Sequence, residues 1–392
     1  MSGRYPSWLR PASAAAAVAL FLASWALLHE SFYARDQIVD TPIYERYGDD
    51  MLDGSVPYRD FAVEYPPAAL PVFLLPAVGD GDYRAQFEGL MAGLSVGLVL
   101  VVASVSVLAA VFVAVAPLLL GSVVLTRFDL WPALLAAGAV ALLGAGRFRF
   151  AAALLGAATA AKLYPALLAP IAIAHVWRRR GRREALVAGA LFAVVIAAIV
   201  LPFAVVAPGG VWHALWVQAG RPLQIESLGA GILLAAHQLF GTEITMESSH
   251  GSQNLAGGAA DALAAITTMI QIAAVAAVWL WYARGPATRD RLLRACAAVL
   301  CAFVAFGKVL SPQFLIWLVP LVPLVHGRRG LAAGGLLAAA LVLTQLWFPY
   351  RYWDLALEFD AAASWLVLAR DLTLVALLAV LTARPAGGRA RS

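Results

Sequence analysis

Charged residues are scarce in this sequence. Asp, Glu, Lys and Arg together form 13% of its 392 residues, whereas a soluble domain carries about a quarter. The shortage argues against an ordinary water-soluble enzyme, and the mean hydropathy of +0.81 agrees. Runs of Ala, Leu and Val replace the missing charge, and several exceed the roughly 20 residues that cross a bilayer core. Because no water satisfies backbone groups there, helices are the default spanning element, and the alternating pattern of an outer-membrane barrel is absent.

Cysteine is almost missing as well. Only Cys296 and Cys301 occur, five residues apart in one apolar run. On a helix they would face different directions, so the sequence predicts neither a disulfide nor a cysteine metal site.

The motifs of nucleotide-dependent and serine enzymes are also absent. The chain has no glycine-rich phosphate loop, no serine–histidine motif and no dinucleotide fingerprint. Its six histidines show no metal-ligand spacing, and only His213 and His237 lie near the polar segments discussed below. A soluble nucleotide donor is therefore not supported.

Arginines are gathered in short segments between the apolar runs. Although the net charge is +5, this spacing is the orientation signal of a membrane protein and does not favour nucleic-acid binding. Arg4 and Arg10 precede the first apolar run, residues 11–28, and place the N-terminus in the cytoplasm. That run could be a signal peptide, but no convincing cleavage site follows, so we interpret it as a retained helix. The arginines at 178–183 give the strongest cytoplasmic signal.

This pattern predicts an all-α, multi-pass protein of the cell membrane with about 11–13 spans and both termini in the cytoplasm. Residues 1–383 would form one transmembrane domain, and residues 384–392 a basic cytoplasmic tail. Acids and isolated tyrosines collect on the predicted outer side, which favours a functional site facing away from the cytoplasm.

Several segments are predicted not to be single straight spans. Residues 87–125 are too long for one helix and should be broken, and residues 150–177 should form two short helices hinged at 162–165. The polar stretches 212–228 and 242–254 are predicted to stay outside, and residues 314–325 to cross back.

The first outer loop, residues 29–64, is acidic and rich in tyrosine. Thr41 is a suitable N-cap with Pro42 at the first helical position, so a helix is predicted from there to Gly54, flat on the membrane surface. A short apolar segment at residues 65–78 would then re-enter the membrane. Asp40 has two interpretations, either a carboxylate that caps the helix or stabilises its dipole, or a general base at the water–membrane boundary.

Four ionisable residues lie within or beside apolar runs, where charge is costly and usually faces a polar cavity or a partner. They are Arg127, Asp129, Lys162 and Lys308. A structural alternative exists for some of them, because Arg127 could pair with Asp129 and Lys162 could extend its ammonium to the interface.

Taken together, these residues resemble glycosyltransferase family 87, a group of membrane transferases of the GT-C superfamily. The first outer loop carries Asp40, Tyr44, Gly54, PYRDF at 57–61 and EYPP at 64–67. Later stretches agree in order: RFDL at 127–130, KLYP at 162–165, LQIES at 223–227 and GKVLSPQ at 307–313. The resemblance covers roughly residues 38–317, and the order of the motifs is more specific than any one of them.

The resemblance implies transfer of a sugar, mannose before arabinose or glucose, from a polyprenyl-phosphate donor to a glycolipid or glycan acceptor of the cell envelope. It maps the catalytic aspartate onto Asp40, with Asp36 as the nearest rival. Asp129 takes the position of a second acidic motif, but one carboxylate beside Arg127 is a poor site for a divalent cation. Metal-independent chemistry without a cofactor is therefore expected. The transfer is also expected to invert the configuration at the anomeric carbon. The residues expected to bind substrate or its phosphate are Lys308, Arg221, Arg127, Lys162, Asp129, Glu64, Tyr44, Tyr58, Gln224, Glu226 and Gln313.

Two other classes of function stay open. Intramembrane charges also line the substrate paths of transporters and flippases, although the sequence shows no internal repeat. A non-catalytic scaffold would not need Lys162 and Lys308 at these depths. The aromatic residues Tyr44, Tyr58, Tyr65 and Trp212 could stack on sugars or form an interfacial belt.

Overall fold

The computed structural model describes residues 9–383 and is built mainly of helices. Arg4, the side chain of Arg10 and the predicted tail at 384–392 lie outside the described part. In the first half of the chain the helices are α1 (Leu9–Leu27), α2 (Thr41–Leu52), α3 (Leu70–Leu74), α4 (Tyr83–Val105), α5 (Val107–Leu120), α6 (Val123–Thr126), α7 (Leu130–Gly144), α8 (Phe148–Ala161) and α9 (Ala169–Arg180).

The second half contains the remaining helices and a small sheet. The helices are α10 (Arg182–Val206), α11 (Pro208–Gly220), α12 (Leu228–Phe240), α13 (Gly258–Arg284), α14 (Arg289–Ala305), α15 (Gly327–Gln345), α16 (Tyr352–Glu358) and α17 (Ala361–Thr382), and the strands are β1 (Leu223–Gln224), β2 (Thr245–Ser249) and β3 (Ser252–Ala256).

Among residues 9–383, four helices, α4, α10, α13 and α17, are long and apolar enough to cross a membrane on their own. Several other apolar helices, among them α5, α7, α8 and α12, have only 13 to 15 residues, so each falls short of the roughly 20 that cross a bilayer core. The membrane character of the chain is confirmed. The predicted 11–13 spans, their sidedness and the extent of the single domain stay predictions.

Both predicted interruptions of long apolar runs are confirmed. The run at 87–125 breaks at Ser106, whose side chain accepts a hydrogen bond from Ala109 N (3.3 Å) and so caps α5. The run at 150–177 breaks between α8 and α9, where Lys162 is extended and a 3-10 turn, Tyr164–Leu168, follows. Pro165 has no N–H to donate to the carbonyl four residues earlier, and its ring clashes with that carbonyl, so α8 cannot continue as a regular helix through this point.

Prolines also change the predicted crossing at residues 314–325, which is not an α-helix. Two 3-10 turns, Pro312–Trp317 and Val322–Leu324, carry the chain through this region. Pro312, Pro320 and Pro323 each lack the N–H that a regular helix needs, so the segment folds into short turns buried against its neighbours. The apolar segment at 65–78 is similarly divided around the short α3.

The two stretches predicted as outer polar loops are more ordered than expected. The first contains α11, and the second forms the hairpin of β2 and β3, to which β1 adds an antiparallel edge. His250 and Gly251 make its two-residue turn with positive φ at both positions (54° and 66°), as a tight hairpin requires. Between the two stretches lies α12, an element that the sequence analysis left unassigned.

The last described helix, α17, packs against helices from several parts of the chain. The last helix, α17, contacts α12, α14 and α15, and α8 lies between α7 and α10. Cys296 and Cys301 are buried in α14 and free, as predicted. This arrangement places the α8–α9 break, the α11–β1 segment and the 3-10 turns after α14 around one cavity.

Candidate active site

A cavity of about 380 Å³ lies where the first loop, the α8–α9 break, α11 and the segment after α14 meet. Six of the residues predicted to bind substrate line it: Tyr58, Glu64, Lys162, Arg221, Lys308 and Gln313. Tyr58 and Phe303, which are 245 residues apart in sequence, therefore line the same cavity. The other predicted residues, including Asp40, do not line this cavity and lie behind its wall or along its rim.

Asp40 is held by a cation and not by the helix that it precedes. It occupies the N-cap position of α2, one residue earlier than predicted, yet its side chain caps no backbone N–H within the described chain. Its Oδ1 lies 2.5 Å from Arg127 Nη1, and the Tyr44 hydroxyl donates to its Oδ2 at 3.3 Å. The side-chain capping interpretation of Asp40 is therefore wrong, whereas its position at the N-terminus of α2 is compatible with a carboxylate that stabilises the helix dipole.

Asp129 pairs with Lys162, so the alternative pairing of Arg127 with Asp129 is wrong. Lys162 Nζ and Trp317 Nε1 both donate to Asp129 Oδ1 at 2.6 Å. The Lys162 ammonium also lies over the ring of Phe128, 4.6 Å from its centroid. The bulky groups around it hold this cation at the cavity wall, where its charge is partly balanced.

Tyr65 separates the Asp40 group from the cavity. It lines the cavity and packs edge-on against Tyr44 and Phe128. Burial, followed by the nearby charge of Asp40, raises the pKa of Tyr65 well above its ordinary value. Asp40 therefore acts electrostatically on a side chain of the cavity wall, although its own carboxylate is one layer behind.

Arg221 faces the cavity without a carboxylate partner. Its Nε is buried and forms no hydrogen bond to any residue between Leu9 and Ala383, and no acid of that part of the chain lies within 4 Å of its guanidinium. Glu64 and Glu226 interact with it only at longer range. Lys308 Nζ donates to the Ala219 carbonyl at 3.0 Å, which brings a second cation to the same side.

An aromatic stack forms one side of the cavity. Trp317 lies between Tyr164 and Phe314, with ring centroids 4.1 Å apart on each side. Because Asp129 accepts from its indole N–H, the plane of Trp317 is fixed. Further apolar lining comes from Ile196, Val200, Leu215 and Phe303.

Gln224 and Glu226 lie behind the cavity in a buried network. Gln224 Nε2 donates to Glu226 Oε2 at 2.6 Å and to Ser311 Oγ at 2.9 Å, and its backbone N donates to the Lys308 carbonyl at 2.9 Å. Burial raises the pKa of Glu226 from 4.5 to about 8, against the opposing charge of nearby arginines.

The remaining candidates are spread out. Tyr44 is buried and stacked on Phe73 at 4.5 Å, whereas Tyr58 donates its hydroxyl to the Tyr65 carbonyl at 2.5 Å. Asp36, Trp212 and His213 are exposed, and His237 bonds to the Thr242 carbonyl.

Sequence reasoning missed Arg370, in α17. Its Nη2 donates to the Glu226 backbone carbonyl at 2.6 Å, which connects the last helix to the buried network. The signal was present, since Arg370 and Asp371 interrupt an apolar run of the kind in which charge is costly.

Two family models match parts of this chain. Residues 63–312 match the family model described as Glycosyltransferase family 87, and residues 244–383 match that of Mannosyltransferase (PIG-M). A crystal structure of ArnT from Cupriavidus metallidurans bound to undecaprenyl phosphate is similar with a TM-score of 0.48 and 15% identity, over 96% of this chain and 77% of that one. No curated protein sequence matches significantly.

Proposed function

The chain belongs to glycosyltransferase family 87 and is a membrane glycosyltransferase, and from this premise we propose that it transfers mannose from a polyprenyl-phosphate donor to an envelope glycolipid or glycan. The reaction is proposed to occur on the extracytoplasmic face, with inversion at the anomeric carbon and without a metal or cofactor. The observation that carries the proposal is the convergence of Lys162, Arg221 and Lys308 on one largely apolar cavity.

The three cations suit the leaving group of such a donor. A lipid phosphate gains negative charge as its bond to the sugar breaks, and cations in a poorly hydrated site stabilise that charge strongly. Arg221 is the best placed, because it has no carboxylate neighbour within pairing distance in the described chain, and a guanidinium can hold two phosphate oxygens at once. The side chains of Ile196, Val200 and Leu215 offer the donor's hydrocarbon tail an apolar path away from the phosphate.

Asp40 is the proposed general base. Arg127 Nη1 lies 2.5 Å from its Oδ1 and holds the carboxylate in a fixed orientation. In the proposed step the acceptor hydroxyl gives its proton to Asp40 and its oxygen bonds to the anomeric carbon from the face opposite the phosphate. The bond between carbon and phosphate oxygen breaks, and its electron pair leaves with the lipid phosphate. Since Tyr65 stands between Asp40 and the cavity, this side chain must move for the base to meet the acceptor.

Glu64 is proposed to bind sugar hydroxyls. Its exposed side chain lines the cavity near Arg221, and carboxylates accept hydrogen bonds from two hydroxyls at once. Tyr58 and Gln313 supply further polar groups on the same lining.

The proposal is tested with purified protein in lipid nanodiscs, a polyprenyl-phosphate mannose donor and a panel of envelope glycolipid acceptors. Wild-type protein is expected to form a new glycosidic bond, and Asp40→Asn to lower the rate by a factor on the order of 10² to 10⁴, the usual contribution of a general base. Asp36→Asn is the matched control, because Asp36 is an exposed acid one helical turn earlier in the sequence.

Equal rates for Asp40→Asn and wild type would remove Asp40 as the base, and loss in Asp36→Asn alone would transfer that role. Movement of the lipid-linked sugar across the bilayer without a new bond would instead support a transporter.

A further inference from the structure

Arg370 and Asp371 form a fully buried ion pair in the middle of α17. Arg370 Nε lies 2.6 Å from Asp371 Oδ1, and both side chains are 0% exposed. The guanidinium also lies over the ring of Trp347, 5.7 Å from its centroid. Removing two charges from water in an apolar bundle is costly, and such pairs are often replaceable by hydrophobic residues without loss of stability. Stability alone therefore gives little reason for this pair.

The pair is connected to the rear of the cavity by a series of hydrogen bonds. Arg370 Nη2 donates to the Glu226 carbonyl, and the Glu226 side chain accepts from Gln224, which in turn donates to Ser311 Oγ. The backbone N of Gln224 donates to the Lys308 carbonyl. The Arg370 bond joins α17 to residues 221–227, and the two bonds from Gln224 to Ser311 and Lys308 join residues 221–227 to residues 308–311, so the three segments are held in one register.

Those two loop segments carry two of the cavity cations, Arg221 and Lys308. We propose that Arg370 is a positioning residue: by holding the Glu226 carbonyl it fixes the distance between Arg221 and Lys308, and so sets the affinity of the cavity for a lipid phosphate. Asp371 keeps the guanidinium oriented toward that carbonyl. This role rests on the proposed function, because it presumes that these cations bind the donor's phosphate.

The test is the double variant Arg370→Met/Asp371→Leu, which removes both charges and keeps the volume. We expect its melting temperature to match or exceed that of wild type, while the KM for the lipid-phosphate donor rises by about tenfold, the loss of one charge-assisted bond. The kcat should change little, since Asp40 is not in this network. Backbone amides of residues 224–227 should exchange hydrogen faster, a readout that does not depend on activity. Thr373→Val, on the exposed side of α17, is the control and should leave all three quantities unchanged.

Ser311→Ala is a milder variant should the double variant not fold, because it removes only the last link while Gln224 keeps its bond to Glu226. Its donor KM is expected to rise by about threefold, a loss of roughly 0.6 kcal/mol. A donor KM within error of wild type in these variants, together with unchanged amide exchange at 224–227, overturns the positioning role alone. Wild-type protein that transfers no sugar overturns the proposed function instead.

Discussion

Arg127 and Arg221 are both arginines withdrawn from water beside the same cavity, yet in the described chain only Arg127 has a carboxylate within pairing distance. Arg127 lies behind the wall, and Asp40 is 2.5 Å from its Nη1. Arg221 lines the cavity, its Nε is buried without a hydrogen bond in the described chain, and the acids Glu64 and Glu226 act on it only from a distance. The first arginine is matched to a residue of the protein, and the second is left available to a ligand.

The difference assigns the two charges to different parts of the reaction. A cation with a fixed carboxylate partner holds that carboxylate in one orientation, which serves the proposed base. A cation kept apart from carboxylates gains most when an anion enters, because the cost of its partial desolvation is then compensated. Substitutions at the two positions should therefore alter different kinetic constants.

Arg221→Met should have the largest effect on donor binding. We expect the KM for the polyprenyl-phosphate donor to rise by about 10- to 100-fold, the loss of one or two bonds to a charged group. The fold should be retained, because no described side chain depends on Arg221 for a hydrogen bond. Steady-state kinetics at varied donor concentration measure the effect, and Lys308→Met tests whether the second cation contributes less. An unchanged donor KM would show that the two arginines do not differ in the way proposed.

Arg127→Met should instead lower kcat and thermal stability. Its removal leaves the Asp40 carboxylate without the cation that holds it, and we expect a loss of about 1–2 kcal/mol, reduced from the value for fully buried pairs because Asp40 is 24% exposed. Donor KM should change much less than in Arg221→Met. Thermal unfolding and kcat measured on the same preparation check this. A variant with normal kcat and a raised donor KM would reverse the assignment of the two arginines.

Glu226→Gln should have the smallest effect and should appear in the pH dependence of stability. Burial raises the pKa of Glu226 from 4.5 to about 8 and outweighs the charges of Arg370, Arg127 and Arg221, which favour the ionised form. Below pH 4.5 the carboxyl group is protonated in both the folded and the unfolded chain, so its contribution to the free energy of unfolding is fully present. As the pH rises toward 8 the unfolded chain loses this proton while the folded chain keeps it, and stability falls.

The Gln variant resembles the protonated acid and should lose that slope in melting temperature between pH 4.5 and 8. Glu247→Gln, at an exposed position of β2, should retain the wild-type slope. A Glu226→Gln variant whose slope equals that of wild type would mean that Glu226 is ionised in the folded protein.

The sequence allowed the local features of the site to be predicted, and the structure added the long-range ones. The break at Lys162 and the helix after Asp40 follow from proline positions and helix-capping preferences within a few residues. The pairing of Arg127 with Asp40 joins residues 87 positions apart, and no local signal distinguishes it from the expected pairing with Asp129. Only helix packing decides between these partners.

Other parts were missed for identifiable reasons. The β2–β3 hairpin has strands of five residues with mixed polarity, too short for a clear alternating pattern. Arg370 was overlooked because its partner on the site side is a backbone carbonyl, which every residue has, so no side-chain motif records it.

The stack of Tyr164, Trp317 and Phe314 has a consequence for which part of the proposed donor's polyprenyl chain the protein recognises. The three rings are in contact, and the indole in the middle is anchored to Asp129. They therefore form a rigid surface that cannot expand to accommodate more of a longer polyprenyl chain. Only the first isoprene units next to the phosphate would touch it, and the rest of the chain would extend into lipid. We therefore expect the enzyme to discriminate between donors that differ in saturation or geometry near the head and to tolerate wide variation in total polyprenol length.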